Sequence, residues 1–499
     1  MTHRFSRRAF LLTGAAATLA AAQPLWANPP LTSLRPAARG ADFGRKTLPS
    51  AEALIEAARL DGAVGFAVAD VATGETLEER QGATGLPPAS VAKALTAAYA
   101  LHHLGPAHHF VTRLVATGPV TDGVVAGDLA LVGGGDPVLE TDNLAALAAD
   151  LKAAGIREVK GRFLLWDGAL PYLRTIDAGQ PDHVGYSPAI SSLNLNYNRV
   201  HFEWRRGGKG YDVTMDARSA THRPDVSMAR MSVVARSTPV YTYADAGGHD
   251  DWTVAKGALG KGGARWLPVR KPALYAGEVF QTFARAHGIV LKTPAMAETE
   301  PKGATLATHE SPPLRIILRD MLKYSTNLTA EVVGLSTTKA IGGVAETLAQ
   351  SAAAMNAWAI SDLGLKSAAL VDHSGLGDAS RISAADMCRA LVAVRGRMGL
   401  KPLLKKIKMR DDARNLVEDH PLSVHAKTGT LNFVSGLGGF IDLPDGRELA
   451  FAIFAADIER RAGLTKAERE RPEGARSWNV RAKKLQQALI DRWGVMYAS

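Results

Sequence analysis

Cysteine is almost absent from this sequence, since Cys388 is the only one in 499 residues. A single thiol excludes an intramolecular disulfide, so the packing of the core must hold the folded chain together. The residues around it predict a helix over 383–395. In that helix, Cys388 is interpreted as a small, buried, apolar side chain.

Long apolar runs are also missing. The best candidate, residues 11–22, is too short to be interpreted as a membrane-spanning helix. It follows Arg7 and Arg8 and precedes a plausible cleavage site at 25–27, so residues 1–27 are predicted to be an export signal of the twin-arginine type. The alternative is an ordinary secretory signal that happens to contain paired arginines. Either signal predicts a mature chain that is exported to the periplasm.

No block of lysine and arginine interleaved with aromatic residues occurs, and this argues against nucleic-acid binding. The chain nevertheless carries a formal charge of +10. A basic exported protein could associate peripherally with an anionic envelope surface. A solubilising excess of charge spread over the whole surface explains the same number equally well.

Three catalytic signatures are absent or incomplete. The sequence contains no G-x-S-x-G, which argues against an α/β-hydrolase, and no HExxH accompanies the pair His102 and His103. Adjacent histidines on a helix point about 100° apart, so a zinc peptidase is disfavoured and no metal or cofactor is predicted. The letters Asp372-His373-Ser374 could suggest a triad, but consecutive residues rarely converge on one point, and a turn is the better interpretation.

The order of predicted elements indicates an α+β protein of two or more domains. A strand pair at 64–70 and 75–80 precedes a helix that begins near Ser90, and three strands at 423–431, 435–441 and 448–456 precede a last helix. These strands can form one antiparallel sheet only if the intervening chain is an excursion. We therefore predict one domain from 40–110 and 273–499, with mainly β subdomains inserted at 111–272.

Ser90 and Lys93 form the first candidate site. Pro87 and Pro88 precede Ser90 and an Ala- and Leu-rich run follows it, a pattern typical of a helix that starts after a rigid turn. Lys93 then lies one helical turn from Ser90. A serine hydroxyl needs a base, and a lysine can act as one only when burial or a nearby cation lowers its pKa. The pair alone is weak, because Ser336 and Lys339 repeat the spacing.

Two further segments supply groups that acyl transfer requires. Ser325 and Asn327 lie at a predicted junction between helices, where Ser325 could relay a proton and Asn327 could hold Lys93 and a substrate amide. Lys427, Thr428, Gly429 and Thr430 lie on a predicted strand. Lys427 would provide a fixed positive charge that lowers the pKa of Lys93 and attracts a substrate carboxylate. A threonine hydroxyl of this strand, Thr428 or Thr430, could bind that carboxylate, and Gly429 would let a substrate backbone approach.

Ser-x-x-Lys, Ser-x-Asn and Lys-Thr-Gly in this order form the signature of penicillin-binding proteins and serine β-lactamases. The wider sequence resembles one family, the class C low-molecular-mass penicillin-binding proteins, which are D-alanyl-D-alanine carboxypeptidases/endopeptidases. The resemblance covers nearly all of the mature chain. The matching runs are 88–93, 104–106, 127–129, 135–137, 194–196, 372–376 and 426–430.

The resemblance implies a transpeptidase-type antiparallel sheet flanked by helices, with extra domains inserted between the first two motifs. It implies that Ser90 is the acylated nucleophile and Lys93 its base. Ser325, Asn327 and Lys427 complete the catalytic group, and the backbone N–H groups of Ser90 and Thr430 form the oxyanion hole. Asp167 falls near the place where the family has an acidic residue facing an amine of the substrate side chain. His373 stands where the family commonly has glycine, and Thr326 stands where it often has aspartate.

The implied substrates are peptidoglycan stem peptides that end in D-Ala-D-Ala, and the implied inhibitors are β-lactams. Cleavage of D-Ala cross-links stays open beside removal of the terminal residue. A β-lactamase or esterase that uses the same residues is an alternative, although the long insertion argues against a compact β-lactamase. A non-catalytic peptidoglycan-binding protein is a second alternative, which the complete set of catalytic residues disfavours.

Overall fold

The computed structural model describes residues 48–411 and 415–498. All of these except Leu48 belong to one compact unit, Pro49–Ser499. The predicted export signal at 1–27 lies outside the described residues.

A six-stranded sheet joins the two ends of the described chain, as the sequence predicts. The strand Ala63–Asp70 pairs antiparallel with Glu448–Ala456 along its whole length. The order across the sheet is Thr76–Arg80, Ala63–Asp70, Glu448–Ala456, Val434–Asp442, Ser423–Leu431 and Lys405–Ile407. The last strand pairs only with residues 424–426 of its neighbour, so the 427–431 end of Ser423–Leu431 has a free edge.

Both faces of this sheet are buried, which explains why its strands are almost continuously apolar. Along Glu448–Ala456 the side chains alternate between two cores. Ala450, Ala452 and Phe454 pack with the helices Ala92–His103 and Ala384–Arg395 on one face. Residues 449, 451, 453 and 455 pack on the other face with the helices Ala51–Ala58 and Ala475–Tyr497.

The last helix, Ala475–Tyr497, buries Trp478, Leu485, Leu489 and Trp493 against the sheet. These four residues are the ones whose spacing indicates a packed face in the sequence. Within the described ranges no helix combines the length and the apolar character that crossing a membrane requires.

The helix Ala92–His103 lies at the centre of the helical layer and is buried almost all round, including the side chain of Lys93. Three helices pack against it in the same core: Leu314–Tyr324, Asn327–Ala340 and Leu348–Leu363. A helix buried on all sides can bring a polar side chain into the protein interior, and this one brings Lys93 there.

The inserted region is built around a five-stranded sheet. Its order is Ala295–Met296, Phe163–Trp166, Leu129–Gly133, Val111–Ala116 and Ala304–Glu310. Two three-stranded sheets accompany it, one formed by Arg199–Gly207, Gly210–Asp216 and Gly262–Pro268 and the other by Ala229–Val234, Tyr241–Asp245 and Asp250–Ala255. The remaining elements of the described chain are short strands and turns, together with the helices Thr141–Ala153, Pro272–Ala286 and Ile458–Ala462.

The end of the insertion differs from the predicted boundary at residue 272. The helix Pro272–Ala286 packs Tyr275 and Phe280 into the core of the inserted region. The strand Ala304–Glu310 then pairs with Val111–Ala116 of its sheet. The chain therefore returns to the central sheet and its helices after residue 310. The helical pattern of 272–286 predicts a helix correctly, but it does not indicate which of two cores buries that helix.

Candidate active site

Ser90 lies in a strained turn that leads into the central helix. A 3-10 turn, Ala89–Val91, precedes the helix Ala92–His103, so the α-helix begins two residues later than predicted. Ala89 has a φ of +46°, in the left-handed region that a residue with a Cβ rarely adopts. Such strain persists only where surrounding structure enforces it, and it is common at functional sites.

Two glycines press against this turn and explain how it is held. A Cβ on Gly375 would lie 1.9 Å from the Ala89 carbonyl oxygen, and one on Gly429 would lie 2.6 Å from the Pro88 oxygen and 3.1 Å from the Ser90 nitrogen. The two distances to carbonyl oxygens are shorter than a Cβ tolerates, so neither glycine can be replaced without movement of the turn. Gly429 therefore seats the turn that bears Ser90 against the strand Ser423–Leu431, a role that the sequence analysis did not assign to it.

Lys93 is fully buried and contacts Ser90 directly. Its Nζ lies 3.0 Å from Ser90 Oγ, 2.7 Å from Asn327 Oδ1 and 2.8 Å from the carbonyl oxygen of Ser374. A neutral amine has two N–H groups and one lone pair. The amide and carbonyl oxygens can only accept, so they take the two N–H groups, and the lone pair is left facing the Ser90 hydroxyl.

Ser325 and Asn327 reach the same place from a junction between two helices, as predicted. Ser325 ends the helix Leu314–Tyr324 in the left-handed conformation, with a φ of +61°, and Asn327 begins the next helix. The amide of Asn327 bridges two parts of the protein. Its oxygen accepts from Lys93, and its nitrogen donates to the backbone oxygen of Tyr186, in the inserted region, at 2.9 Å.

Lys427 brings the third segment to the cluster. Its Nζ donates to Ser325 Oγ at 3.0 Å and to the Thr428 carbonyl oxygen at 2.7 Å. Thr428 and Thr430 are exposed beside it, on the free edge of the strand Ser423–Leu431. An edge strand offers unpaired backbone groups that an extended peptide can use.

Burial governs the charge of both amines. Desolvation lowers the pKa of Lys93 to about 8, against the opposing effect of the carboxylates of Glu331 and Asp372. Desolvation, followed by repulsion from Lys93, lowers the pKa of Lys427 to about 6. Burial thus disfavours the charged form of Lys427 in the empty site, and the expected positive charge at Lys427 stays a prediction. An anionic group bound beside it would favour its charged form.

Ser90, Ser325, Asn327 and Thr430 line one cavity of about 320 Å³. The inserted region and the C-terminal segment complete its wall, and Tyr186, Arg461 and Arg469 are among their contributions. The two arginines share the carboxylate of Asp378. Sequence reasoning missed these wall residues because no local motif marks them.

Asp167 is not among the residues that line this cavity. Its carboxylate is half-buried and accepts a hydrogen bond from Ser191 Oγ at 2.9 Å, and burial raises its pKa. Its assignment to a substrate amine stays a prediction.

Sequence reasoning also missed Glu331 and the backbone of Ser374. The carboxylate of Glu331 accepts the N–H groups of His373 and Ser374, both at 2.9 Å. The available signal was spacing, since Glu331 follows Asn327 by four residues and so lies on the same helical face.

The rival sites do not assemble. His373 Nε2 is hydrogen-bonded to Ser351, and Asp372 accepts the N–H groups of Gly375 and Gly377, so Asp372-His373-Ser374 is a turn and not a triad. His102 and His103 pack against Trp358. Within residues 48–411 and 415–498, no three His, Cys, Asp or Glu side chains are placed to hold a metal ion.

Known proteins resemble this chain in sequence and in fold. The family model described as D-Ala-D-Ala carboxypeptidase 3 (S13) matches residues 50–470. A D-alanyl-D-alanine carboxypeptidase of Actinomadura sp. (strain R39) is 31% identical over 456 residues, which cover 81% of this chain and 79% of the relative. D-alanyl-D-alanine carboxypeptidase DacB of Haemophilus influenzae is 25% identical over 455 residues, covering 81% and 89%.

The crystal structure of penicillin binding protein 4 (dacB) from Haemophilus influenzae superposes with a TM-score of 0.73 at 19% identity, over 90% of this chain and 100% of that one. This likeness confirms the fold predicted from the sequence.

The pKa of Lys93 predicts the pH dependence of Ser90 acylation. Only the neutral amine can take the hydroxyl proton, so the rate should rise with pH and level off above about pH 8. We expect a fall approaching tenfold per unit well below that value. The measurement is the rate constant for acylation by benzylpenicillin between pH 5.5 and 9.5. A profile that is flat from pH 6 to 9 would contradict this assignment.

The close approach of Gly429 predicts a second outcome. In Gly429→Ala, the added methyl group must push the strand away from the Ser90 turn, which changes the distance between Lys427 and Ser90. We expect acylation to slow by about tenfold or more, because displacements of an ångström are costly in catalysis. Gly396→Ala is the matched control, since a Cβ at Gly396 meets nothing within 4 Å. Equal rates for the two folded variants would contradict the packing argument.

Proposed function

Because the chain belongs to the D-Ala-D-Ala carboxypeptidase 3 (S13) family, it is a serine-type D-Ala-D-Ala carboxypeptidase, and we propose that Ser90 is its acylated nucleophile. One observation carries this assignment. Ser90 Oγ lies 3.0 Å from a buried lysine amine whose two N–H groups have other acceptors. Burial supplies the lowered pKa that a lysine base requires.

The first half of the reaction is acylation. Lys93 takes the proton of Ser90 as Oγ attacks the carbonyl carbon of the penultimate D-Ala. The backbone N–H groups of Ser90 and Thr430 stabilise the oxyanion, and the terminal carboxylate binds beside Lys427, Thr428 and Thr430. The contact of 3.0 Å between Lys427 and Ser325 supports a relay in which Ser325 protonates the departing amine and regains its proton from Lys427.

The second half is hydrolysis. After D-Ala has left, water attacks the acyl-enzyme and gives one proton through Ser325 to Lys427, which the first half left neutral. Ser90 regains its own proton from Lys93, so both lysines return to their starting states. A β-lactam presents a reactive amide in place of the dipeptide, so Ser90 opens its ring and retains the product as an ester. The cavity wall from the inserted region and the C-terminal segment would contact the rest of a peptidoglycan stem peptide. Cleavage of D-Ala cross-links would use the same steps with a larger leaving group.

The site of action follows from the substrate. Peptidoglycan lies outside the cytoplasmic membrane, so the mature chain acts there, in the periplasm. Arg7, Arg8 and the apolar run at 11–22 support export through the twin-arginine route. We extend the proposal to peripheral association with an anionic envelope surface, which a net charge of +10 would support.

Ser90→Ala tests the nucleophile. Incubated with benzylpenicillin, the wild-type chain should gain the mass of one penicillin, and Ser90→Ala should gain none and should release no D-Ala from a D-Ala-D-Ala peptide. Ser336→Ala is the matched control, because Ser336 begins the second Ser-x-x-Lys, whose Lys339 donates instead to the Ala169 carbonyl. An adduct that survives in Ser90→Ala would refute the assignment. Rapid loss of the wild-type adduct, with turnover of penicillin, would favour a β-lactamase.

Asp167→Asn tests the proposed contact with the substrate side chain. We expect the KM of a stem peptide whose third residue carries a free amine to rise about fivefold or more, because a charged pair is lost. The same peptide with its amine acetylated should show no such rise. Equal effects on the two peptides would remove Asp167 from the substrate site.

A further inference from the structure

Glu331 is a fully buried acidic residue that the mechanism above does not use. It lies on the helix Asn327–Ala340, four residues after Asn327 and thus on the same face. Its two carboxylate oxygens accept the N–H groups of two successive residues, His373 and Ser374, at 2.9 Å each. A buried carboxylate is stable only with such partners, and here the partners belong to the loop beneath Lys93.

That loop supplies one of the two acceptors that orient Lys93. Ser374 gives its N–H to Glu331 and its carbonyl oxygen to Lys93 Nζ, at 2.8 Å. Asp372 fastens the far side of the same loop through the N–H groups of Gly375 and Gly377. One helix therefore holds the lysine twice, directly through Asn327 and indirectly through Glu331 and Ser374.

We propose that Glu331 is a positioning residue for the general base. Glu331 fixes the position of the Ser374 carbonyl oxygen, which accepts the second N–H of Lys93. The lone pair of the amine then points at the Ser90 hydroxyl. The inference rests on the proposed role of Ser90 and Lys93 and extends it to a residue that does not touch the substrate.

Because charged groups surround Glu331, replacing its carboxylate should change the pKa of Lys93, and that change can be measured. Asp372 and Lys93 are the charged neighbours of this carboxylate, and Lys93 in turn repels a charge on Lys427. The ring of His373 stays neutral, because burial lowers its pKa to about 3. Burial raises the pKa of Glu331 to about 8, and Glu331 in turn raises that of Lys93, so the two titrate together. Removing the acid should allow neutral Lys93 to form at lower pH.

Two variants distinguish the effect of the length of the Glu331 side chain from the effect of its charge. Glu331→Gln keeps the length but replaces one acceptor oxygen with an NH2 group that faces a backbone N–H. We expect the plateau rate of penicillin acylation to fall about tenfold or more, and the acidic limb of its pH profile to move down by about one unit. Glu331→Asp keeps the charge but is one methylene too short to reach both N–H groups. We expect a similar loss of plateau rate with the limb close to its wild-type position.

Asp386→Asn is the matched control. Asp386 is also a buried carboxylate that accepts two successive backbone N–H groups, those of Lys366 and Ser367. Its other partners, Ser383 and Arg389, lie outside the Ser90–Lys93 cluster. We expect Asp386→Asn to lower the melting temperature, which measures the general cost of neutralising such a carboxylate. Its acylation rate and pH profile should match those of the wild-type chain.

The outcomes are distinct. Wild-type plateau rates of acylation in both Glu331 variants would overturn the inference. It would also be overturned if the acidic limb of the pH profile of Glu331→Gln did not move and the acylation rates of all three variants fell in proportion to their melting temperatures. If Glu331→Gln does not fold, Glu331→Asp carries the test through its plateau rate. Failure of the wild-type chain to be labelled at Ser90 would instead overturn the proposed function itself.

Discussion

The burial of one lysine amine is the interaction on which the active site depends. Lys93 is fully buried, yet each direction from its Nζ meets a polar atom of a different segment: Ser90, Asn327 and Ser374. Desolvation lowers the pKa of Lys93 to about 8, so the amine is neutral and can accept a proton above that pH. The two acceptor oxygens bind its N–H groups and leave its lone pair directed at Ser90. Displacement of any of these segments would leave a buried amine without a partner, which is costly for folding as well as for catalysis.

The fold meets this requirement through layers that come from distant parts of the chain. The central helix carries Lys93 into the interior, and the helix that follows Ser325 brings Asn327 and Glu331 against it. The sheet contributes Lys427 and, at Gly429, a surface flat enough for the strained turn at Ala89 to rest on. The inserted region is more than an excursion, because the Tyr186 carbonyl holds the Asn327 amide and Tyr186 is one of the residues that line the cavity.

The sequence allowed the architecture and the core of the site to be predicted because both leave local patterns. Apolar strands at the two ends of the chain predicted the closed sheet, and the motifs around Ser90, Ser325 and Lys427 predicted their convergence and the family, which is confirmed. Properties that depend on tertiary packing could not be read in this way. Four properties depend on side chains and backbone that other segments of the chain supply, so no local pattern reveals them: the core that receives the helix Pro272–Ala286, the close contact at Gly429, the hydrogen bonds of Glu331 and the lower pKa of Lys427.

Chemical rescue at position 93 tests the central claim most directly, because it asks whether an amine there activates Ser90. Lys93→Cys should be acylated by benzylpenicillin about 10²-fold or more slowly than the wild-type chain. Alkylation with 2-bromoethylamine, which rebuilds an amine at nearly the length of lysine, should restore much of that rate. The wild-type chain, whose only cysteine is the buried Cys388, serves as the treated control. An unalkylated Lys93→Cys that reacts as fast as the wild-type chain would contradict the account.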